Sequence, residues 1–332
     1  MTDSLEMRAL MVDTANGPLR LASLPRPVPG AGQVLVRIKA SGVNPLDAKI
    51  RSGQAVHARQ PLPAVLGMDL AGTVEELGEG VSRWLPGDEV YAMATGIGGA
   101  QGSLAEFAVV DSRLLAHKPK NLSMREAAGL PLVLITAWEG LVDRARVRAG
   151  QKVLIHGGAG GVGHVAVQVA RAFSAEVFAT GSAGQKGVIE SFGATFIDYR
   201  ASSVEDYVAE FTSGEGFDVV YDTVGGGVLD DSFKAVRVYE GHVVSCLGWG
   251  QHSLAPLSFR GATYSGVFTL LPLLTGKGCE HHGQILKDAT RLIEAGQLKP
   301  LLDPRQFTLE TAEAAHELLT AGDAQGRLVV EI

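Results

Sequence analysis

The stretch Val153-Leu154-Ile155-His156-Gly157-Gly158-Ala159-Gly160-Gly161-Val162-Gly163 runs from an apolar segment through glycines into a helix-like segment. Gly158, Gly160 and Gly163 fall at G-x-G-x-x-G spacing. One such glycine makes the tight turn, one lets the backbone approach a pyrophosphate, and one lets the helix close on the strand. The amides around Ala159, Gly160, Gly161 and Val162 then offer an anion both N–H groups and the positive end of a helix dipole. A purely structural turn is the plainer reading in a chain with 42 glycines. The strand–loop–helix order and the strand-like runs that follow favour a dinucleotide, and with it nicotinamide-dependent hydride transfer.

The end of the next strand bears on which dinucleotide is bound. Sites for NAD usually carry Asp or Glu about 20 residues beyond the loop, where it accepts the ribose 2′-hydroxyl. Here the strand ends Phe178-Ala179-Thr180-Gly181-Ser182 without an acid, and Glu176 sits at its far end. Ser182 supplies a hydroxyl and Lys186 a cation, which suit a 2′-phosphate. NADPH is therefore expected over NADH. The alternative for Lys186 is a solvated lysine at a helix start.

Other chemistries find little support. No Ser-His-Asp or Cys-His arrangement has a context for nucleophilic catalysis, and no tyrosine is followed by Lys four places on. The two cysteines, Cys246 and Cys279, make neither a disulfide framework nor a four-cysteine zinc site and are expected as free thiols. His281 and His282 are adjacent rather than spaced along a helix face, and read as a solvated, glycine-flanked loop. A net charge of -7 argues against nucleic acid and against an anionic membrane surface. No apolar run reaches the ~18 residues of a membrane span. Met1 to Glu6 lacks the basic start and apolar core of a secretory signal, so a cytoplasmic protein is expected.

Positioning these residues takes two kinds of folding unit. At 332 residues, 46% of them apolar, the chain exceeds one comfortable core. Its first third reads as short strands at 7–12, 33–39, 70–77, 89–93 and 104–110, divided by Pro and Gly. Val34, Val36 and Ile38 alternate with Leu35, Arg37 and Lys39, as in a strand with one wetter face. The texture then changes: Ser123 and Glu126 form a capping-box pattern, and a helix is expected over 132–147. Strands at 152–156, 176–179, 195–198, 218–221 and 242–246 alternate with helices at 162–173, 185–192, 204–211 and 228–236. This alternation predicts an α/β fold, a doubly wound parallel Rossmann sheet with helices on both faces. Helices at 284–295 and 311–320 and a strand at 327–331 are too few for a domain of their own. The expected division is a β-rich catalytic domain from 1–122 and 269–332, interrupted by a nucleotide domain at 123–268. Arg327, at the head of the last strand, reads as a surface residue.

Several segments follow one another along the chain: Ser41-Gly42-Val43-Asn44-Pro45-Leu46-Asp47 with Ile50-Arg51-Ser52-Gly53, then Leu66-Gly67-Met68-Asp69-Leu70-Ala71-Gly72, then Ala127 to Trp138. The glycine loop follows, then Gly193-Ala194 with Ile197-Asp198-Tyr199-Arg200, and Asp222-Thr223-Val224-Gly225-Gly226. In this the chain resembles the medium-chain dehydrogenase/reductase superfamily, and more closely its zinc-independent quinone oxidoreductases of the zeta-crystallin type. The resemblance implies that the β-rich domain is GroES-like. In zinc-dependent relatives a cysteine stands at the place of Asn44, and Gly-His-Glu at the place of Gly67-Met68-Asp69. Asn and Met are poor zinc ligands, and the cysteine-rich lobe of structural zinc is missing, so no zinc is expected. The resemblance maps Lys186 and Tyr199 onto contacts to the 2′-phosphate. It maps Thr136, Thr223, Val224, Ser245 and Leu247 near the nicotinamide half, and Asn44 into the active-site cleft. Plainer roles are a turn before Pro45 for Asn44 and helix core for Thr136 and Trp138.

Without a Lewis acid, a developing oxyanion needs hydrogen-bond donors, and Asn44 is the suited side chain. A quinone, already a strong hydride acceptor, fits such a site. An α,β-unsaturated ketone or aldehyde reduced at its β-carbon is the close alternative. Lys49 and Tyr91 stand in segments where a proton donor would be sought, and neither is singled out. A non-catalytic NADPH-binding sensor or structural protein is the alternative of another class. Relatives pair through the edge of the nucleotide-domain sheet, and the β-like run 262–268 is the candidate for that edge, so a homodimer is expected; an ordinary sixth strand within the monomer is its plainer role, and the two are compatible.

Overall fold

The computed structural model describes residues 6–332, so all but Glu6 of the segment read for a secretory signal lies outside the described residues. The chain forms two units, one of residues up to 132 with 270–296 and 300–332, the other of 133–269 with 297–299. Among the described residues no helix is long and apolar enough to cross a membrane.

The first unit opens with β1 (Glu6–Val12), β2 (Arg20–Pro25), β3 (Gln33–Val43), α1 (Pro45–Arg51), β4 (Ala64–Val65) and β5 (Asp69–Leu77). It continues through β6 (Glu89–Met93), β7 (Phe107–Asp111), β8 (Ala116–His117) and α2 (Met124–Ala128). β3 is its central strand, antiparallel to both β5 and β7. Arg37 and Lys39 keep the wetter face, but Leu35 is buried. The capping box of α2 is formed: the Glu126 amide donates to Ser123 Oγ at 3.2 Å, and the Ser123 amide to Glu126 Oε2 at 2.8 Å.

The helix expected over 132–147 is α3 (Pro131–Trp138) followed by a π-helical turn at Glu139–Arg144. The Tyr221 hydroxyl donates to the Thr136 carbonyl at 2.6 Å, and Gly140 lies against the same ring. A side chain that takes a carbonyl from the i→i+4 ladder widens the helix there.

The second unit alternates β9 (Lys152–His156), α4 (Gly161–Ala172), β10 (Glu176–Gly181), α5 (Lys186–Ser191), β11 (Thr195–Asp198) and α6 (Val204–Thr212). β12 (Val219–Asp222), α7 (Gly227–Ala235), β13 (His242–Ser245), α8 (Ala255–Arg260) and β14 (Thr263–Gly266) complete it. The six strands are all parallel in the order β11-β10-β9-β12-β13-β14. Leu154, Phe178, Phe217, Val220 and Phe233 are buried in one cluster on this sheet. β14 takes the sixth position at the sheet's edge, with Thr263, Tyr264 and Gly266 exposed.

The return segment carries α9 (Leu271–Thr275), α10 (Cys279–Glu294), β15 (Phe307–Thr308), α11 (Ala312–Ala321) and β16 (Leu328–Glu331). α10 begins earlier than expected and takes in His281 and His282, so the solvated-loop reading of that pair is corrected. His282 is buried. Gly283, which flanks the pair, is needed for packing: a Cβ there would overlap the Arg113 carbonyl oxygen. β16 runs antiparallel to the end of β3, pairing Leu328 with Val43.

His316 on α11 is buried, and neither ring nitrogen has a hydrogen-bond partner. Burial, with the Arg51 cation adding, holds its pKa down to about 4. The unfolded chain therefore binds a proton that the fold does not between about pH 6.5 and 4, and stability is lost as pH falls through that window. We expect His316→Leu to melt at least as high as wild type at pH 7 and to gain on it at pH 5. A melting-temperature difference independent of pH would contradict this.

Candidate active site

The glycine loop hangs on β10. The Gly157 amide donates to Thr180 Oγ1 at 3.1 Å and the Gly158 amide to the Thr180 carbonyl at 2.9 Å. Gly157 turns the strand with a φ of +72°. A Cβ at Gly158 would stand 2.5 Å from Ala179 Cβ, and one at Gly163 would overlap the Gly157 carbonyl oxygen. Gly160 is the N-cap of α4 without a capping side chain, and Gly160 and Gly161 are exposed. Ala159 and Val162 are half-buried beside them. The loop is thus a turn in which Gly158 and Gly163 leave no room for side chains against their neighbours and which opens onto the N-terminus of α4 with no capping side chain, the form a pyrophosphate needs.

Beyond β10, Ser182 caps a short turn, its amide donating to Gln185 Oε1 at 2.9 Å. Lys186 opens α5 with its side chain 60% exposed and its Nζ 3.9 Å from the Glu190 carboxylate. Tyr199, 53% exposed, follows β11, which pairs Asp198 with Gly181. Arg200 Nε donates to the Tyr199 hydroxyl at 3.3 Å and adds a cation the sequence reading did not count. Its position directly after Tyr199 was the available signal. Ser182 and Tyr199 follow the paired ends of β10 and β11, and Lys186 opens the helix after β10.

The ends of β12 and β13 are tied by Asp222, which is fully buried. Its Oδ1 accepts from the amides of Val224 at 2.9 Å and Gly225 at 2.8 Å, and its Oδ2 from Ser245 Oγ at 2.7 Å. Ser245 Oγ in turn accepts from the Leu247 amide at 3.1 Å, and Thr223 Oγ1 donates to the His156 carbonyl at 2.6 Å. Thr223, Val224, Ser245 and Leu247 therefore share one rim. Thr136 and Trp138 are buried in α3. Burial holds His156 down to about pH 4 and pushes the Cys246 thiol up to about 12, so neither a charged imidazole nor a thiolate is present near pH 7.

In the first unit, Asn44 precedes α1 and is 0% exposed. Its amide Nδ2 donates to Asp69 Oδ2 at 3.0 Å, and its Oδ1 accepts from Arg327 Nη2 at 2.6 Å. Its backbone amide donates to Asp47 Oδ2 at 2.8 Å. Asp47 also accepts from the Gly67 amide at 3.2 Å, and Asp69 Oδ1 from the Leu132 amide at 2.9 Å. Arg327 is 5% exposed, with its Nε donating to the Gly129 carbonyl at 2.9 Å. The surface reading of Arg327 is therefore corrected: the Asp69 carboxylate, the Asn44 amide oxygen and the Gly129 carbonyl supply what water would otherwise give a guanidinium. Burial pushes Asp47 up to about 7, with the Asp69 charge adding, and burial pushes Asp69 up to about 6.

Residues 30–120 match the alcohol dehydrogenase GroES-like domain, and residues 192–330 match a zinc-binding dehydrogenase domain. The chain is 30% identical to the quinone oxidoreductase of Homo sapiens, over 98% of this chain and 97% of that protein. The chain belongs to the medium-chain dehydrogenase/reductase superfamily. It is an oxidoreductase of that superfamily, with a GroES-like unit and a separate Rossmann-like parallel sheet. Another medium-chain relative is the chloroplastic NADPH-dependent alkenal/one oxidoreductase of Arabidopsis thaliana, 36% identical over 90% of this chain and 72% of its own length. An alcohol dehydrogenase superfamily protein from Novosphingobium aromaticivorans has a solved structure that superposes with a TM-score of 0.96. Its identity is 56%, covering 98% of this chain and 99% of that one.

Two segments considered for a proton donor differ in this medium-chain reductase. Tyr91 is fully buried, its hydroxyl donating to the Leu286 carbonyl at 2.7 Å and bonded to Thr290 Oγ1 at 3.0 Å, and burial raises its pKa. It is a core residue. Lys49 is exposed on α1. Asp69, Asp222 and Arg327 are the site residues that sequence reasoning did not assign.

Proposed function

We propose that this protein is a zinc-independent, NADPH-dependent reductase that delivers hydride to a quinone or a similarly activated carbonyl compound. The observation that carries the reading is the glycine-rich turn Gly157–Gly163, followed by the end of β10, which carries Ser182 and no acid, with Lys186 and Tyr199 after it. Bound there, the nicotinamide supplies the hydride. The α4 amides would hold the pyrophosphate, and Ser182, Lys186 and Tyr199 the 2′-phosphate. Thr136, Thr223, Val224, Ser245 and Leu247 would border the nicotinamide half. Asn44, with one Nδ2 hydrogen beyond its bond to Asp69, is the donor assigned to the acceptor's oxygen. The donor set does not fit the zinc of zinc-dependent relatives: Asn44 Oδ1 faces a guanidinium, and Met68 offers only a buried thioether.

A second reading, reduction of an alkenal or enone at its β-carbon, is favoured by the identity to the plant alkenal/one oxidoreductase. Steady-state oxidation of NADPH with a panel of ortho-quinones and enones decides between them. The quinone reading expects the highest kcat/KM among quinones, and enones faster by orders of magnitude would replace it. Tight NADPH binding without oxidation by any acceptor would instead indicate a sensor.

Cofactor choice is tested separately. Lys186→Ala removes one charge-assisted contact, worth about 10- to 100-fold in NADPH affinity, and should leave NADH nearly unchanged. Equal losses for the two cofactors would remove the 2′-phosphate assignment. We also infer a homodimer through the β14 edge, where Tyr264 is exposed and Phe259 and Tyr239 add apolar surface. Light scattering that gives a monomer at micromolar concentration would rule this out.

A further inference from the structure

We propose that Arg327 is the positioning residue of the acceptor side, fixing the Asn44 amide while its own cation occupies the oxygen atoms a metal there would need. The inference rests on the reductase reading above, in which Asn44 acts on the acceptor's oxygen.

An asparagine amide can present either its oxygen or its nitrogen, and the two edges are nearly isosteric. Here the choice is forced. A guanidinium only donates, so Oδ1 must face Arg327 Nη2, at 2.6 Å. An ionised carboxylate only accepts, so Nδ2 must face Asp69 Oδ2, at 3.0 Å. The guanidinium is itself fixed by the Gly129 carbonyl on Nε and by Asp69 Oδ2, 3.4 Å from Nη2. Asp69 is fixed by the Leu132 amide. The antiparallel pairing of Leu328 with Val43 sets the register that brings Arg327 to Asn44. The outcome is a defined direction for the remaining Nδ2 hydrogen, with no freedom to flip to the oxygen edge. Pre-aimed donors of this kind stabilise developing charge without reorganising during reaction.

The same geometry bears on metal. A divalent cation held by Asn44 Oδ1 and Asp69 Oδ2 would lie beside the guanidinium that already bonds both. At that range two like charges repel strongly in a buried site. Lysine could supply the charge but not the planar set of donors that reaches Gly129, Asn44 and Asp69 together.

The test uses the full-length protein with Arg327→Gln, Arg327→Lys and Arg327→Ala. Arg327→Gln should lower kcat about tenfold or more, with the NADPH dissociation constant little changed. Arg327→Lys should recover part of that loss. Millimolar guanidinium, but not sodium chloride, should partly restore Arg327→Ala. Hydrogen exchange at Asn44 Nδ2, followed by NMR, should be slow in wild type and fast in Arg327→Gln. Wild-type kcat in a folded Arg327→Gln overturns the proposal, as does a loss that only tracks unfolding and is not rescued by guanidinium. Stoichiometric zinc in active wild-type protein overturns it too. If wild type reduces no acceptor, the reductase reading fails by itself, and unchanged Asn44 exchange in Arg327→Gln then separately refutes the positioning role.

Discussion

Alanine at Gly163 is expected to abolish measurable dinucleotide binding at micromolar cofactor while leaving the first unit folded. The added Cβ would overlap the Gly157 carbonyl oxygen, and would stand 2.8 Å from the Gly157 carbonyl carbon and 3.0 Å from Gly158 Cα. All three obstacles are backbone, so no side chain can swing aside. The strain is relieved only if α4 withdraws from the turn that ends β9. Overpacking of this sort costs about 1–3 kcal/mol or more. The withdrawal also moves the amides of the first turn from the phosphate position, where the helix dipole acts only at short range. The expected loss of NADPH affinity is on the order of 100-fold or greater, the worth of two or more charge-assisted hydrogen bonds. Fluorescence titration with NADPH, beside thermal denaturation, checks it. Gly187→Ala is the control, because a Cβ there meets nothing within 4 Å. Wild-type affinity in Gly163→Ala would sink the assignment of the loop.

That loop was legible because its signals are local. Three glycines, a preceding apolar run and a following helix fall within one short stretch, and the physical reason for each glycine is a contact inside that stretch. The absence of an acid at the end of β10 was readable for the same reason. Most strands and helices of the second unit follow the sequence pattern closely, since a parallel sheet covered on both faces needs continuous apolar strands. The first unit was harder. β2, β4 and β8 are short or largely exposed and leave little periodic trace.

The Asn44 network lay outside local reasoning altogether. Arg327 bonds Asn44 across 283 positions and Asp69 across 258. Charged residues are usually exposed, so an arginine between a glycine and a strand reads as surface until its partners are known. A resemblance could place Asn44 near the reaction, but not say that its oxygen is bound by a guanidinium. His282 failed for a related reason: its burial follows from how Gly283 packs against Arg113, which is distant in sequence.

Asp222 joins both kinds of information, and its loss should be the most damaging single side-chain deletion in the second unit. The sequence placed it beside Thr223 and Val224, and the structure shows why those residues stay where they are. Asp222→Ala strips the acceptor from two amides and one hydroxyl, in a position with 0% exposure to water. Leaving a buried hydrogen-bond donor without its acceptor in this way costs about 1–3 kcal/mol for each donor left unsatisfied. The loss is not only one of stability. The Val224 and Gly225 amides define the turn after β12, and Ser245 Oγ holds the Leu247 amide after β13. Without the carboxylate, both turns lose the contact that aligns them, and the rim assigned to the nicotinamide half should loosen. Denaturant unfolding should therefore show a lower midpoint, and NADPH titration a weaker affinity in the protein that remains folded. Asp222→Asn separates shape from acceptor capacity. Its amide oxygen can still receive the two backbone amides, while its nitrogen can donate to Ser245 Oγ if that hydroxyl turns its hydrogen away. We expect Asp222→Asn to recover most of the stability and part of the NADPH affinity. If Asp222→Ala bound NADPH as wild type does, the rim after β12 and β13 would not be part of the cofactor site, whatever the stability of the variant.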